Sequence, residues 1–278
     1  MIAIDGAIVA DELATISVLD RGFLYGDGLF EVLRTWRGLA VDLEAHLDRL
    51  SASAAALELT FDRSSITATV SELLARTSGD QRIRIVVTRG QGGPAMRFAA
   101  GTGGQTIIYA EPLLGSPREA SAAFVDYPLA RRTQGHKTLA YLDHLIAKEL
   151  AAVVGADEAI RLGPDGDVVE GATSNLFIVR GSIRTPPLAG VLPGVTRGHV
   201  LECCKALGLA ASEDRLTVND VRQATEIFTT SAVRGVVAIT RLDGVARPDG
   251  IGPVTQKLAE VYAARMTRAS MSMARDGS

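Results

Sequence analysis

Gly135-His-Lys-Thr-Leu-Ala-Tyr-Leu142 places Lys137 at the mouth of an apolar run that keeps helical spacing from Leu139 to Val154. A lysine at such a place is ordinarily a solvated surface residue. Set in a pocket, the same amine forms an imine with an aldehyde. The run is followed by three strand signals, at 158–162, 168–170 and 175–180, with Gly163-Pro-Asp-Gly166 turning between the first two. A helix feeding a set of strands makes this half of the chain a mixture of α and β.

Working toward the N-terminus, the first ~110 residues mix short strands with two helices. Ile2 to Ile4 reads as a strand, and Phe30 to Trp36 alternates apolar and polar until Gly38 breaks it. Leu43, Leu47, Leu50, Ala54 and Leu57 recur at helical spacing, and 82–89 and 105–110 read as further strands. Glu111-Pro-Leu-Leu-Gly-Ser-Pro-Arg118 carries two prolines and a glycine, which marks a linker. Toward the C-terminus, 195–207 reads as a helix opening after Leu192-Pro193-Gly194. Strands near 227–229 and 236–242 and a helix over 252–268 follow. The expected architecture is α/β or α+β in two lobes: a small N-terminal lobe over 1–112, a linker over 113–121 and a larger lobe over 122–278.

The chain has 278 residues, 47% hydrophobic and 22% charged, enough to bury a large core. A formal charge of −3 gives no general attraction to nucleic acid or anionic lipid, so any anionic ligand must be gripped locally. No apolar run approaches the roughly 18 residues of a membrane span. Met1 to Asp5 has no basic region followed by an apolar stretch, so no secretory signal is expected. Cys203 and Cys204 are adjacent in a helical pattern, unsuited to an ordinary disulfide and suited to a reducing cytoplasm. The four histidines, His46, His136, His144 and His199, have no metal-ligand spacing.

Three other stretches place polar groups where a purely structural reading expects none. Asp20-Arg-Gly-Phe-Leu-Tyr-Gly-Asp-Gly-Leu-Phe-Glu-Val-Leu-Arg34 is a tight glycine turn feeding a strand, not a dinucleotide fingerprint, which would lead into a helix. Val168-Val-Glu-Gly-Ala-Thr-Ser-Asn-Leu-Phe177 sets Glu170 before a small-residue turn, as a turn former or as a carboxylate facing a pyridine nitrogen. Gly190-Val-Leu-Pro-Gly-Val-Thr-Arg197 opens a helix whose first N–H groups, those of Val195 and Thr196, can receive an anion. Thr229-Thr-Ser231 adds hydroxyls after a strand, though such runs are more often turn residues.

In this order the four stretches resemble the class IV aminotransferases, which have the fold called type IV among pyridoxal-phosphate enzymes. The resemblance runs from about Asp5 to Ile239. The family includes branched-chain, D-amino acid and R-selective amine aminotransferases and aminodeoxychorismate lyase. It implies pyridoxal 5'-phosphate as cofactor, a larger lobe with a barrel-like sheet and a homodimer.

By this similarity Lys137 is the Schiff-base lysine, which also moves the proton at the substrate carbon. Glu170 faces the pyridine nitrogen and favours the protonated ring. Arg49, in His46-Leu-Asp-Arg-Leu50, grips the cofactor phosphate with a planar, always-charged fork. The N–H groups of Val195 and Thr196, with the hydroxyl of Thr229 or Thr230, complete the phosphate cup. Tyr141 either contacts the cofactor's phenolic oxygen or is packed core; some members carry asparagine where this chain has Ala140. Tyr25, Phe30 and Arg34 correspond to substrate-pocket positions. D-amino acid members bind the substrate carboxylate with an arginine and a histidine after a Thr-Arg-Gly turn. This chain has the turn as Thr88-Arg-Gly90 and then lacks the pair, leaving Arg97 or Arg89 as substitutes.

Two reactions use the same lysine, glutamate and phosphate cup. The expectation is transamination between an amino acid or amine and a keto acid. The alternative is aminodeoxychorismate lyase, releasing 4-aminobenzoate and pyruvate. The branched-chain arginine-tyrosine-glycine start is absent, which counts against that subgroup. Neither nucleic acid nor a membrane is an expected partner, and no metal is expected.

Overall fold

The computed structural model describes the backbone of residues 1–92, 97, 101–126 and 135–276, with the side chains of these except 101 and 269–276. They form two compact units. The first comprises residues 1–114, 136–141 and 266–278; the second comprises 115–135 and 142–265.

The first unit opens with a hairpin of β1 (Ile2–Ile4) and β2 (Ala7–Val9), followed by the short helix α1 (Arg21–Tyr25). Strand β3 (Gly28–Trp36) and the short β4 (Leu39–Ala40) lead to helices α2 (Leu43–Ala56) and α3 (Arg63–Ala75). Strand β5 (Gln81–Thr88), the small pair β6 (Gln91–Gly92) and β7 (Gly101–Thr102), and β8 (Thr106–Pro112) complete it. The main sheet is antiparallel in the order β2-β1-β8-β5-β3-β4. Strand alternation sorts the residues of β3 between two faces. Leu29 and Leu33 join Leu43, Leu47 and Leu50 of α2 and Ile66, Val70 and Leu73 of α3 in one core. These apolar positions recur three or four apart on each helix, and each fully buried leucine contributes roughly 1.5–3 kcal/mol. The opposite face carries Phe30, packed with Val86 of β5 and Ile107 of β8.

The second unit begins with β9 (Glu119–Val125), helix α4 (Leu142–Val153), β10 (Glu158–Leu162) and β11 (Val168–Gly171). Next come β12 (Asn175–Arg180), β13 (Ser182–Thr185), α5 (Val195–Ala206), β14 (Ala211–Glu213) and α6 (Val218–Arg222). Strands β15 (Glu226–Ser231), β16 (Gly235–Leu242) and β17 (Val245–Ala246) precede the long helix α7 (Pro253–Asp276). The mixed sheet runs β11-β10-β9-β16-β15-β12-β13-β14, with β17 against β16. In that order four strands separate β11 from β12, yet only Ala172–Ser174 lie between them in the chain. A three-residue connection spans about 10 Å. The sheet must therefore curl until the two strands meet, the barrel-like form of a type IV enzyme. Ile160, Leu176, Ile178, Ile227 and Val237 fill its apolar interior.

One expectation is corrected. The helix expected from Leu139 begins at Leu142, because the preceding segment spends its backbone groups on β3. The amphipathic pattern of that helix is also turned outward. Ala147 and Ala151 are its buried side, while Leu142, Leu145, Leu150 and Val153 are exposed. Among the described residues, no helix is long and apolar enough to cross a membrane.

Candidate active site

Lys137 owes its place to main-chain hydrogen bonds. Phe30 N donates to Lys137 O at 2.9 Å, Leu139 N donates to Gly28 O at 3.0 Å, and Leu29 pairs with Thr138 as an antiparallel bridge. Gly28 makes this approach possible. A Cβ there would lie 2.5 Å from Val87 O and 2.6 Å from Leu139 Cδ1, closer than real contacts allow. The ammonium of Lys137 lies 4.3 Å from the centroid of the Phe30 ring and 5.4 Å from that of Tyr141. Those rings meet edge to face at 5.1 Å and 85°. The guanidinium of Arg84, on β5, lies 4.1 Å from the Phe30 centroid.

Behind β3, the alternation turns Glu31 toward α2. Glu31 Oε1 accepts from Arg49 Nε at 2.8 Å, Oε2 accepts from Arg49 Nη2 at 2.6 Å, and His46 Nδ1 lies 2.8 Å from Oε2. Burial alone would raise the Glu31 carboxyl. The charge and hydrogen bonds of Arg49, with those of His46, outweigh it and hold the group at about 2. Arg49 is thus locked in a planar fork by a permanent anion. One turn along α2, Ser53 Oγ lies 3.1 Å from His136 Nδ1, so the residue beside Lys137 packs on the helix that carries Arg49.

In the second unit, Glu170 lies next to the end of β11 and Asn175 opens β12. Asn175 Nδ2 donates to Glu170 Oε2 at 3.3 Å and to Leu192 O at 2.9 Å, and Leu192 N donates to the same Oε2 at 3.2 Å. Two residues on, Gly194 is the N-cap of α5, with no side-chain cap. The N–H groups of Val195 and Thr196 therefore stand at the positive end of a 12-residue helix. Across the sheet Asn175 pairs with Thr230, and Leu176 with Thr229. Thr230 therefore shares the face of Asn175, while Thr229 shares that of the core residue Leu176. The Thr230 hydroxyl is buried with no hydrogen-bond partner. A buried orphan hydroxyl beside an uncapped helix start is the arrangement that a phosphate group would satisfy.

The remaining expected residues are more scattered. Tyr25, at the end of α1, is exposed and lies beneath the Arg21 guanidinium at 5.8 Å. Arg34 is on the Phe30 side of β3, 3.7 Å from Asp80 and against the Trp36 ring. Arg97 is exposed in a bend whose flanks, 93–96 and 98–100, lie outside the described residues. Arg89 is removed as a candidate for the substrate carboxylate. It is buried, with Nε on Asp27, Nη1 on Glu58 O and Nη2 on Leu57 O.

The sequence reading missed two residues. Asn175 stands inside the Glu170 stretch but has no local sign of its role. Arg84 is half-buried, and burial, then the neighbouring Arg82, pushes its guanidinium below the usual range. No hydrogen bond or ion pair holds it among the described residues. Its signal was its position two residues from Arg82 in an alternating strand, which a surface pair shares.

Comparison with known proteins fits this chemistry. The amino-transferase class IV family matches residues 28–242. A putative branched-chain-amino-acid aminotransferase of Methanocaldococcus jannaschii is 35% identical over 273 residues, 94% of each chain. A D-alanine aminotransferase of Bacillus licheniformis is 30% identical, covering 91% of this chain and 93% of its own. The branched-chain aminotransferase of Thermoproteus uzoniensis, solved with norvaline, superposes with a TM-score of 0.87 at 30% identity. That match covers 95% of this chain and 94% of that one. These matches favour amino transfer over the lyase reaction. The chain belongs to the class IV aminotransferase family and is a pyridoxal-phosphate-dependent aminotransferase of fold type IV, acting on amino acids and keto acids.

Proposed function

We propose that Lys137 is the residue that anchors pyridoxal phosphate covalently, as a Schiff base, and that apolar L-amino acids are the preferred amino donors. The observation that carries the reading is Lys137 itself, pinned through its backbone to β3 with its ammonium against two aromatic rings. Pyridoxal phosphate, when bound, supplies an aldehyde that takes the amino group and a ring that draws electrons from the substrate carbon. The protein's residues do the rest. Lys137 Nζ moves a proton at that carbon. Glu170 holds a negative charge toward the ring nitrogen. Arg49, the N–H groups of Val195 and Thr196, and the Thr230 hydroxyl bind the phosphate. Tyr141, against Phe30 and within reach of Lys137, takes the cofactor's phenolic oxygen.

For the substrate, Phe30, Val86, Ile107, Tyr109 and Tyr141 form an apolar wall with Arg84 as its cation. Such a wall suits a branched or aliphatic side chain, and Arg84 suits the second carboxylate of a dicarboxylic keto acid. The missing arginine–histidine pair after Gly90 and the branched-chain name of the 35%-identical relative support the same choice. Tyr25, Arg34 and Arg97 are kept as outer substrate positions.

A homodimer is part of the proposal. Val18, Leu19, Phe23 and Leu24 in the first unit, and Leu142, Leu145 and Val153 on α4, are exposed apolar groups that a second copy would cover. Two buried cysteines outside any disulfide, Cys203 and Cys204, suit a cytoplasmic site of action.

The test is a half-reaction screen. Bleaching of the bound cofactor's absorbance is followed with L-leucine, L-glutamate, D-alanine, R-amines and aminodeoxychorismate. The reading expects L-leucine and L-glutamate to bleach it, with the amino group passing to a keto acid. D-alanine acting faster than both would overturn the donor assignment.

A further inference from the structure

Asn175 sits at a junction that its place in the strand pattern does not require. Its Nδ2 donates both to the Glu170 carboxylate and to Leu192 O, and Leu192 N returns to the same carboxylate oxygen. The three residues close a ring of hydrogen bonds within the second unit. The other end of the amide abuts the start of α5. A Cβ on Gly194 would lie 1.9 Å from Asn175 Oδ1, so only glycine lets the helix start come this near. The cross-strand neighbour of Asn175, Thr230, contributes a buried hydroxyl without a partner on the same face.

We propose that Asn175 is a positioning residue that couples the Glu170 carboxylate to the Leu192–Gly194 turn, so that one amide sets both the acceptor for the cofactor's ring nitrogen and the helix start that takes its phosphate. This rests on the roles proposed above for Glu170 and α5. Two N–H donors on Oε2 fix the plane of the carboxylate and favour its charged form. Because the second of them is the backbone of the turn, a shift of the turn moves the carboxylate. Phosphate binding and ring protonation are thereby linked through a path of three residues.

The experiment uses the full-length protein loaded with pyridoxal phosphate labelled with nitrogen-15 in the ring. It reads the ring-nitrogen chemical shift, which reports ring protonation, and the cofactor dissociation constant. Asn175→Ala is expected to move the shift toward the unprotonated ring and to raise the dissociation constant about tenfold, as for loss of a hydrogen bond to a charged group. Gly194→Ala, at the phosphate end, is expected to move the ring-nitrogen shift as well, because the added methyl collides with the amide. A Gly194→Ala protein that binds cofactor more weakly while keeping the wild-type ring shift would overturn the coupling. So would an Asn175→Ala protein with an unchanged ring shift.

Should Asn175→Ala fail to fold, Asn175→Asp keeps the shape. Its protonated carboxyl can donate to Glu170 and its ionised form repels it. The ring shift of that variant is therefore expected to depend on pH where the wild type is flat, and a flat profile in the variant would contradict the proposal. Glu170→Gln separates this inference from its premise. If that change leaves the ring shift as in wild type, the assignment of Glu170 itself is wrong. If it moves the shift and the Asn175 variants do not, only the coupling is wrong.

Discussion

Lys137 and Glu170 are held in place by opposite means. Lys137 is positioned through its backbone: two main-chain hydrogen bonds and one bridge tie 137–139 to β3, and the side chain lies against the rings of Phe30 and Tyr141. Glu170 is positioned through its side chain, with one carboxylate oxygen shared between an amide and a backbone N–H. The difference matches the tasks proposed for them. An amine that must release one partner and take another needs a fixed root and a mobile tip. A carboxylate that must keep its charge against a ring needs a fixed tip.

The largest effect is expected at the amine. Lys137→Ala should lower kcat by roughly a thousandfold or more, since both the anchor and the proton carrier are gone. Stopped-flow assays with L-leucine and a keto acid check this, and a variant within tenfold of wild type would break the contrast. Glu170→Gln should lower kcat/KM by roughly a hundredfold, the scale of one hydrogen bond to a charged group. It should leave the covalent attachment at Lys137 intact. Loss of attachment in that variant would show that the two groups are not divided as described.

How much of this was written in the sequence depends on the kind of force. The strand at 175–180 was legible to the residue, because a short apolar run bounded by turn residues depends on local pattern. The opening of α5 was legible from Pro193-Gly194 for the same reason. The segment 139–141 was not. It looks helical, and only β3, more than a hundred residues earlier, draws it into extended pairing. The outward turn of α4 was equally hidden, since a helical stripe does not say which side the core lies on. Strand β9 was missed because its small residues, Glu119-Ala-Ser-Ala-Ala-Phe-Val125, carry little β signal. The Glu170 stretch was visible as a motif, but the part played by Asn175 exists only as distances. Arg84 became distinct from Arg82 only through register, which sets it between Val32 and Tyr109 on the Phe30 side.

Arg84 lies on the same face of β3 and β5 as the Lys137 amine. Arg84→Gln should raise KM for a dicarboxylic keto acid about tenfold, with kcat for an aliphatic keto acid near wild type. Equal losses on both acceptors would make it a structural residue of the Lys137 face.

The smallest effect at working pH concerns Glu31, the anion that locks Arg49. Its carboxyl lies near 2 in the folded chain against an ordinary 4.5, so the ionised form is favoured by folding. A lowered value contributes stability that is complete above about pH 4.5 and is lost as pH falls toward 2. The full contribution is on the order of 3 kcal/mol. Urea unfolding between pH 2 and 6 should show that slope in the wild type and a weaker one in Glu31→Gln. Identical slopes would show that Glu31 does not lock Arg49.

The covalent role of Lys137 is tested by reducing the loaded protein with borohydride and mapping the modified lysine by peptide mass spectrometry. The chain has four candidates, Lys137, Lys148, Lys205 and Lys257. The phosphopyridoxyl group is expected on the peptide containing Lys137 and on no other. An adduct on Lys148, Lys205 or Lys257, with Lys137 unmodified, would contradict that role.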